Sequence, residues 1–257
     1  HRKLLEGVRG SRLTPGELRT SQNWIGPAGC TLNNASFVPP PPNELPEALG
    51  ALEHFLHGDD ALPLLIKIGL AHAQFETIHP FLDGNGRIGR LLITFLLCEK
   101  GVLSKPVLYL SHYFKRHRQD YYDHLQAIRD KGAFEDWLEF FLSGVLEVSL
   151  EASVTARRIL VLREQHRDLI ASRLGRAAGN GHRTLEHLFA HPIISVSDVR
   201  ELTGTTYPAA NQLVERLTDN SILSEITGQV RNRRFRYDPY IRLFADEPDA
   251  NPRSPTP

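Results

Sequence analysis

From Asn43 to Leu174 apolar residues recur at every third or fourth position, and this feature restricts most of the chain to packed helices. Leu45, Leu49, Leu52 and Leu56 mark the first helix, and Leu62 to Phe75 the second. The pattern breaks at Ile78 to Gly84, where Pro and Gly intervene. It resumes from Arg87 to Lys100, with Leu91, Leu92, Phe95 and Leu96 facing inward and Gly101 just past the end. Ser111 is placed to cap a further helix to about Asp130, and Phe134 to Leu150 and Arg157 to Leu174 read as two more. Residues 11 to 42 are different, rich in Gly, Pro, Asn and Ser and ending in the run Pro39 to Pro42. They read as irregular chain with room for one hairpin.

Beyond Leu174 the pattern changes. Small residues from Arg176 to Gly181 read as a linker, followed by three short helices at Thr184 to Ala190, Ser197 to Thr203 and Tyr207 to Asp219. Leu223 to Ile226 and Arg233 to Tyr237 flank Thr227, Gly228 and Gln229 as a hairpin. Three helices and a hairpin suggest a winged helix. The expected organisation is a helical domain over 1–150, a connecting helix and linker over 151–180, a winged-helix-like domain over 181–245 and a disordered tail over 246–257. With 257 residues, 41% hydrophobic, the chain has material for such cores.

Charge narrows the function classes. Thirty Lys plus Arg against thirty Asp plus Glu leave no net field to draw the whole chain to nucleic acid or an anionic membrane, so any anion site is local. The two cysteines, Cys30 and Cys98, form no CxxC pair and suggest neither a disulfide framework nor a thiolate zinc site. A soluble protein of the reducing cytoplasm, without membrane contact, is the expectation. The sequence opens on His1 and contains no Met, so further sequence is expected upstream.

The segment His79-Pro80-Phe81-Leu82-Asp83-Gly84-Asn85-Gly86-Arg87-Ile88-Gly89-Arg90 carries the chemistry. Two glycines flank an amide side chain where a loop enters a helix, so backbone N–H groups and the positive helix end can converge on an anion. Arg87 and Arg90 lie three apart on that helix and can reach one side of the anion, which suits a di- or triphosphate. Asp83 is a hard oxygen ligand of the kind Mg²⁺ takes when phosphates supply the rest. His79 titrates near neutrality and can accept a proton from an attacking hydroxyl. Each residue alone is equally an ordinary turn, cap or solvated face; their coincidence in twelve positions is what points to a site. The segment also satisfies GxGxxG, but no strand precedes it and no alternation of strands and helices surrounds it, which excludes a dinucleotide fold.

This segment resembles the Fic-domain signature HPFx[D/E]GNGRxxR, with all nine defined positions filled. The resemblance extends over roughly residues 1–150 and includes the approach Phe37-Val38-Pro39-Pro40-Pro41-Pro42. It implies a mainly α fold, a Fic-type helical bundle with a flap hairpin at Ser21 to Phe37, followed by the small winged-helix module. It further implies transfer of AMP from ATP to a Ser, Thr or Tyr hydroxyl of a protein, with release of pyrophosphate. His79 is then the general base and Asp83 the Mg²⁺ ligand. Asn85 with the N–H groups at Gly84, Gly86 and Gly89 lines the ATP site, and Arg87 and Arg90 hold the β and γ phosphates. Gly86 separates the chain from the kinase-like Doc branch, which carries Lys there. Tyr121 and Tyr122 lie on the helix that borders the adenine in this family, with packing of the helix interface an equal alternative.

One family element is missing. The inhibitory pattern [ST]xxxE[GN] has no match, because the only Glu followed by Gly or Asn is Glu6 and the residue four before it is Arg2. An inhibitory helix upstream of residue 1, as in the family's N-terminal class, is the expectation. The winged-helix segment brings in a second function class, a DNA-binding regulator or scaffold that uses the Fic site for nucleotide sensing. Residues 180–242 hold eight Arg against seven acidic residues, and the recognition helix has only Arg216, against Glu215 and Asp219. Arg231, Arg233, Arg234 and Arg236 make a basic wing. DNA contact, self-modification and a homodimer stay open.

Overall fold

The computed structural model describes residues 1–244 except 9, 28, 59, 60, 106, 107 and 230. It divides into two compact units, His1–Ala152 and Ser153–Pro257. The tail expected at 246–257 lies outside the described residues.

The first unit opens with a short helix, α1 (Arg2–Leu5), and then runs irregularly to α2 (Leu45–His57). The helices α3 (Leu64–Ile78), α4 (Asn85–Glu99), α5 (Leu110–Arg116) and α6 (Arg118–Lys131) follow, and then α7 (Phe134–Arg173), whose residues from Ser153 onward belong to the second unit. Two apolar clusters hold the bundle. Ile68, Ile93, Leu97, Phe114, Trp137 and Phe141 centre one between α3, α4, α5 and α7. Leu45, Leu52, Ala71, Phe75 and Ile78 join α2 to α3 in the other. Gly69 marks a close approach of α3 to α7: a Cβ there would lie 3.0 Å from Phe141, and the Trp137 indole N–H donates to the Gly69 carbonyl at 2.9 Å.

Three sequence expectations are corrected. Among the described residues the flap hairpin is a single antiparallel bridge, Ile25 with Phe37, enclosing a 3-10 turn at Leu32–Asn34. Helices expected at Phe134 to Leu150 and Arg157 to Leu174 are one helix, because nothing between them breaks it: Glu151 to Ala156 contains neither Pro nor Gly. The supposed linker Arg176 to Gly181 is helical, a 3-10 turn (Gly175–Ala177) leading into α8 (Ala178–Ala190). Gly181 there is a packing glycine, since a Cβ would lie 2.8 Å from Leu174 and 2.9 Å from Ile170.

In the second unit, α8 is followed by β1 (Ile193–Ser195), α9 (Val196–Thr203), α10 (Tyr207–Asp219), β2 (Ser224–Glu225), β3 (Arg234–Arg236) and α11 (Asp238–Ile241). The strands form one antiparallel sheet in the order β1-β3-β2, with Ile194 opposite Phe235 and Glu225 opposite Phe235. Ser195 caps α9 through a reciprocal bond with Asp198. The strand β1, three residues long, had no alternation by which to find it. Ile170, Leu185, Leu188, Val199, Leu213, Leu217, Phe235 and Tyr237 form the core of this unit. Among the described residues no helix is long and apolar enough to cross a membrane.

Candidate active site

His79 ends α3 in a left-handed conformation, φ +48°, and Gly84 precedes α4 with φ +85°. These two residues turn the chain sharply, so that His79 and the N-terminus of α4 belong to one loop. The loop is fixed by a residue that sequence reasoning missed. Arg19, 2% exposed, donates through Nε to the His79 carbonyl at 3.0 Å and through its other nitrogens to the carbonyls of Ser21, Pro40 and Ile78. Its own N–H donates to Pro80 O at 2.9 Å. A lone Arg among Gly and Pro carries no periodic signal, so nothing in the sequence marks it.

Asn85 was expected in the anion cradle, and the structure gives its side chain other work. It is 2% exposed, its Oδ1 accepts from the Phe81 N–H at 2.8 Å, and its Nδ2 donates to the Phe81 carbonyl at 2.7 Å. The same Nδ2 lies 3.2 Å from His79 Nδ1. Asn23, also missed, donates to His79 Nδ1 at 2.9 Å and to Phe81 O at 3.0 Å. The two amides hold the ring from one side.

Burial pushes the His79 imidazole down to about 4, helped by the cations of Arg19 and Arg129 and opposed by Asp83. The ring is therefore neutral at physiological pH. Asp83 accepts from the Gly84 N–H at 2.6 Å and pairs with Arg87 at 3.6 Å. Gly86 leaves room for Arg90, whose Nη1 would lie 3.1 Å from a Cβ added there. The helix end that includes Gly86 supplies N–H groups without intrahelical acceptors. His79, Asp83, Gly84, Gly86, Arg87 and Arg90 are thus brought together around one loop and one helix end.

Gly89 lies on the same face of α4 as Gly86, closer to α3. A Cβ there would lie 2.3 Å from Glu76 Oε1, so Gly89 is the point where α4 meets the buried carboxylate of α3. Glu76 Oε1 is buried and accepts no hydrogen bond, and desolvation raises its carboxyl to about 7 against the pull of Arg90 and Arg129. Tyr121 is placed in the core, 3% exposed, with its hydroxyl 2.9 Å from His72 Nε2. His72 Nδ1 meets the Gly89 carbonyl at 2.9 Å, which makes Nδ1 the protonated nitrogen and Nε2 the acceptor of the Tyr121 O–H. Tyr122 is on the surface, 46% exposed, so of the two only Tyr121 fills the helix interface.

As a metal site, Asp83 offers one hard oxygen. Among the described residues no group of three or more His, Cys, Asp or Glu could hold an ion. The donor set fits Mg²⁺ as one ligand among phosphate and water oxygens, and does not fit a cage made by the protein alone.

Residues 1–97 match the Fic/DOC family. Over this stretch the chain is similar to that family. It is 40% identical over 70 residues to a probable protein adenylyltransferase of Aquifex aeolicus, covering 27% of this chain and 22% of that protein. It is 33% identical over 142 residues to the protein adenylyltransferase Fic of Aedes aegypti, covering 54% of this chain and 25% of the relative. The chain therefore spans about a quarter of the length of these relatives. A solved Fic family protein from Desulfovibrio desulfuricans is 21% identical, with a TM-score of 0.49 over 87% of this chain and 62% of that one.

Proposed function

We propose that this chain transfers AMP from ATP to a hydroxyl side chain of a protein. A neutral His79 beside a positive helix end that holds two arginines is the observation that carries this reading. The substrate oxygen attacks the α-phosphorus, its proton passes to His79, and the bond from the α-phosphorus to the bridging oxygen breaks to release pyrophosphate. Arg87 and Arg90 would bind the leaving phosphates, and the α4 dipole favours the same charge. A bound triphosphate adds negative charge beside the ring, which raises its low basicity toward the working range. No covalent enzyme intermediate is required; positioning and charge stabilisation suffice.

Mg²⁺, where bound, would neutralise phosphate charge, with Asp83 as its protein ligand. Asn85 serves in this reading by fixing Phe81 and His79, and Gly89 by admitting Glu76. The second unit, with three helices and a three-stranded sheet, is proposed to be a winged helix.

Incubation with α-labelled and γ-labelled ATP and a lysate tests the reading. Label is expected in protein from the α position only, and His79→Ala is expected to lower transfer by about a hundredfold or more while nucleotide still binds. Label from the γ position would make the chain a kinase.

A further inference from the structure

The hydrogen bonds around His79 raise a question of proton placement. The Asn85 amide cannot turn round, because Phe81 holds it at both ends, N–H to Oδ1 and carbonyl to Nδ2. Its Nδ2 therefore faces His79 Nδ1 as a donor, and Asn23 Nδ2 faces the same nitrogen at 2.9 Å. A neutral imidazole that accepts at Nδ1 carries its hydrogen on Nε2. Such a ring offers an attacking hydroxyl an N–H, whereas a base must offer a lone pair.

Asn23 contains the means to reverse this. Its Oδ1 is buried and accepts no hydrogen bond. Its second donated bond, to Phe81 O, is duplicated by the shorter one from Asn85. A half-turn of the Asn23 amide brings the unsatisfied oxygen to His79 Nδ1; it gives up the bond to Phe81 O, which Asn85 still serves, and the incoming oxygen has to stand off from that carbonyl. In that orientation the oxygen has a donor, the hydrogen of a ring protonated at Nδ1.

We propose that Asn23 is a positioning residue that selects the tautomer of His79. With the amide nitrogen on Nδ1 the ring rests as the Nε2–H form; with the amide oxygen there it becomes the Nδ1–H form, whose Nε2 lone pair can take the substrate proton. The ring loses one proton at Nε2 to water and gains one at Nδ1 from water, so its charge is unchanged. Asn23 lies two residues before Ile25, which forms the bridge with Phe37, so the residue that decides the ring's chemistry belongs to the segment expected to meet a protein target. The inference rests on His79 being the base of the proposed transfer.

The test is the ¹⁵N spectrum of the His79 ring at neutral pH, read by two-bond proton correlations and assigned by its loss in His79→Gln. The free wild-type chain is expected in the Nε2–H form. Asn23→Asp places a pure acceptor beside Nδ1 and is expected to convert the ring to the Nδ1–H form. Asn23→Ala leaves Asn85 as the only donor; it is expected to keep the Nε2–H form and to lose transfer about tenfold. A wild-type ring already protonated at Nδ1 would overturn the proposal, as would the same tautomer in wild type and Asn23→Asp. Equal transfer by wild type and Asn23→Ala would overturn it too. Wild-type protein that shows the expected tautomers but transfers no AMP would instead sink the functional reading alone.

Discussion

The two units bury different kinds of surface. Among the described residues every buried charged or amide side chain, Arg19, Lys67, His72, Glu76 and Asn85, lies in the first unit, and the second buries only Thr184 and Thr203 of the polar types. Those two threonines are satisfied within their own helices, by the carbonyls of Asn180 and Val199. In the first unit the bonds of Arg19, Asn23 and Asn85 run between separate segments instead, while Glu76 Oε1 accepts none. Arg19 binds carbonyls up to 60 residues away, and Asn85 and Asn23 meet at Phe81. Burying charge costs stability unless each group is paired, so a fold that does so around one loop has given up stability for a defined arrangement there. The second unit has an ordinary apolar core and keeps its charges at the surface.

The sharpest way to break this contrast is Arg19→Ala, which leaves four carbonyls that accept from the guanidinium without that donor. We expect a loss of about 3 kcal/mol or more in urea unfolding and an inactive site. A loss below about 1 kcal/mol would mean that the clamp around His79 is incidental.

Glu76 gives a smaller, pH-dependent effect of known sign. Its folded value near 7 lies above the ordinary carboxylate value of 4.5, so the folded state holds the extra proton and stability falls as pH rises between those values. His72 and His79, both pushed down to about 4, act oppositely: they add stability as pH rises from about 4 to 6.5. Glu76→Gln is therefore expected to gain up to about 3 kcal/mol relative to wild type on going from pH 5 to pH 8. Parallel stability curves for the two proteins would remove the buried charge from the account.

In the second unit, Arg216 donates to the carbonyl of Arg173 at 2.7 Å, at the C-terminal end of α7. The only arginine of α10 is thus occupied in holding the unit together. Arg216→Ala is expected to cost about 1 kcal/mol, measured by thermal unfolding, because the bond is exposed. A loss as large as that of Arg19→Ala would erase the contrast between the units.

The smallest expected effect concerns DNA. Arg236 is paired with Asp238, which offsets its charge, and Arg233 is tied to Asn211, so two of the arginines from Arg231 to Arg236 are already engaged. Duplex binding is expected to be undetectable at physiological salt and unchanged by Arg233→Ala with Arg234→Ala. A tight, salt-dependent complex would give the second unit a chemistry of its own.

The periodicity of Asn43 to Leu174 was enough to specify helices, and the twelve residues from His79 to Arg90 were enough to single out one loop and the helix end it enters, since both signals are local in the chain. Tyr207–Asp219 was legible to the residue, because Thr206 and Pro208 mark its start and its apolar face is regular. What sequence could not determine was the direction of buried polar side chains. Asn85 looked like part of an anion cradle and its side chain is held by Phe81; Tyr121 could border a nucleotide or fill the helix interface, and is buried and bonded to His72; Gly181 looked like a break and is a contact. Arg19 and Asn23 left no trace at all. Their partners are backbone carbonyls and ring nitrogens brought near only when the irregular N-terminal segment closes over the loop after α3. A hydrogen bond across 56 or 60 residues has no period in the sequence, and only the tertiary structure decides whether it forms.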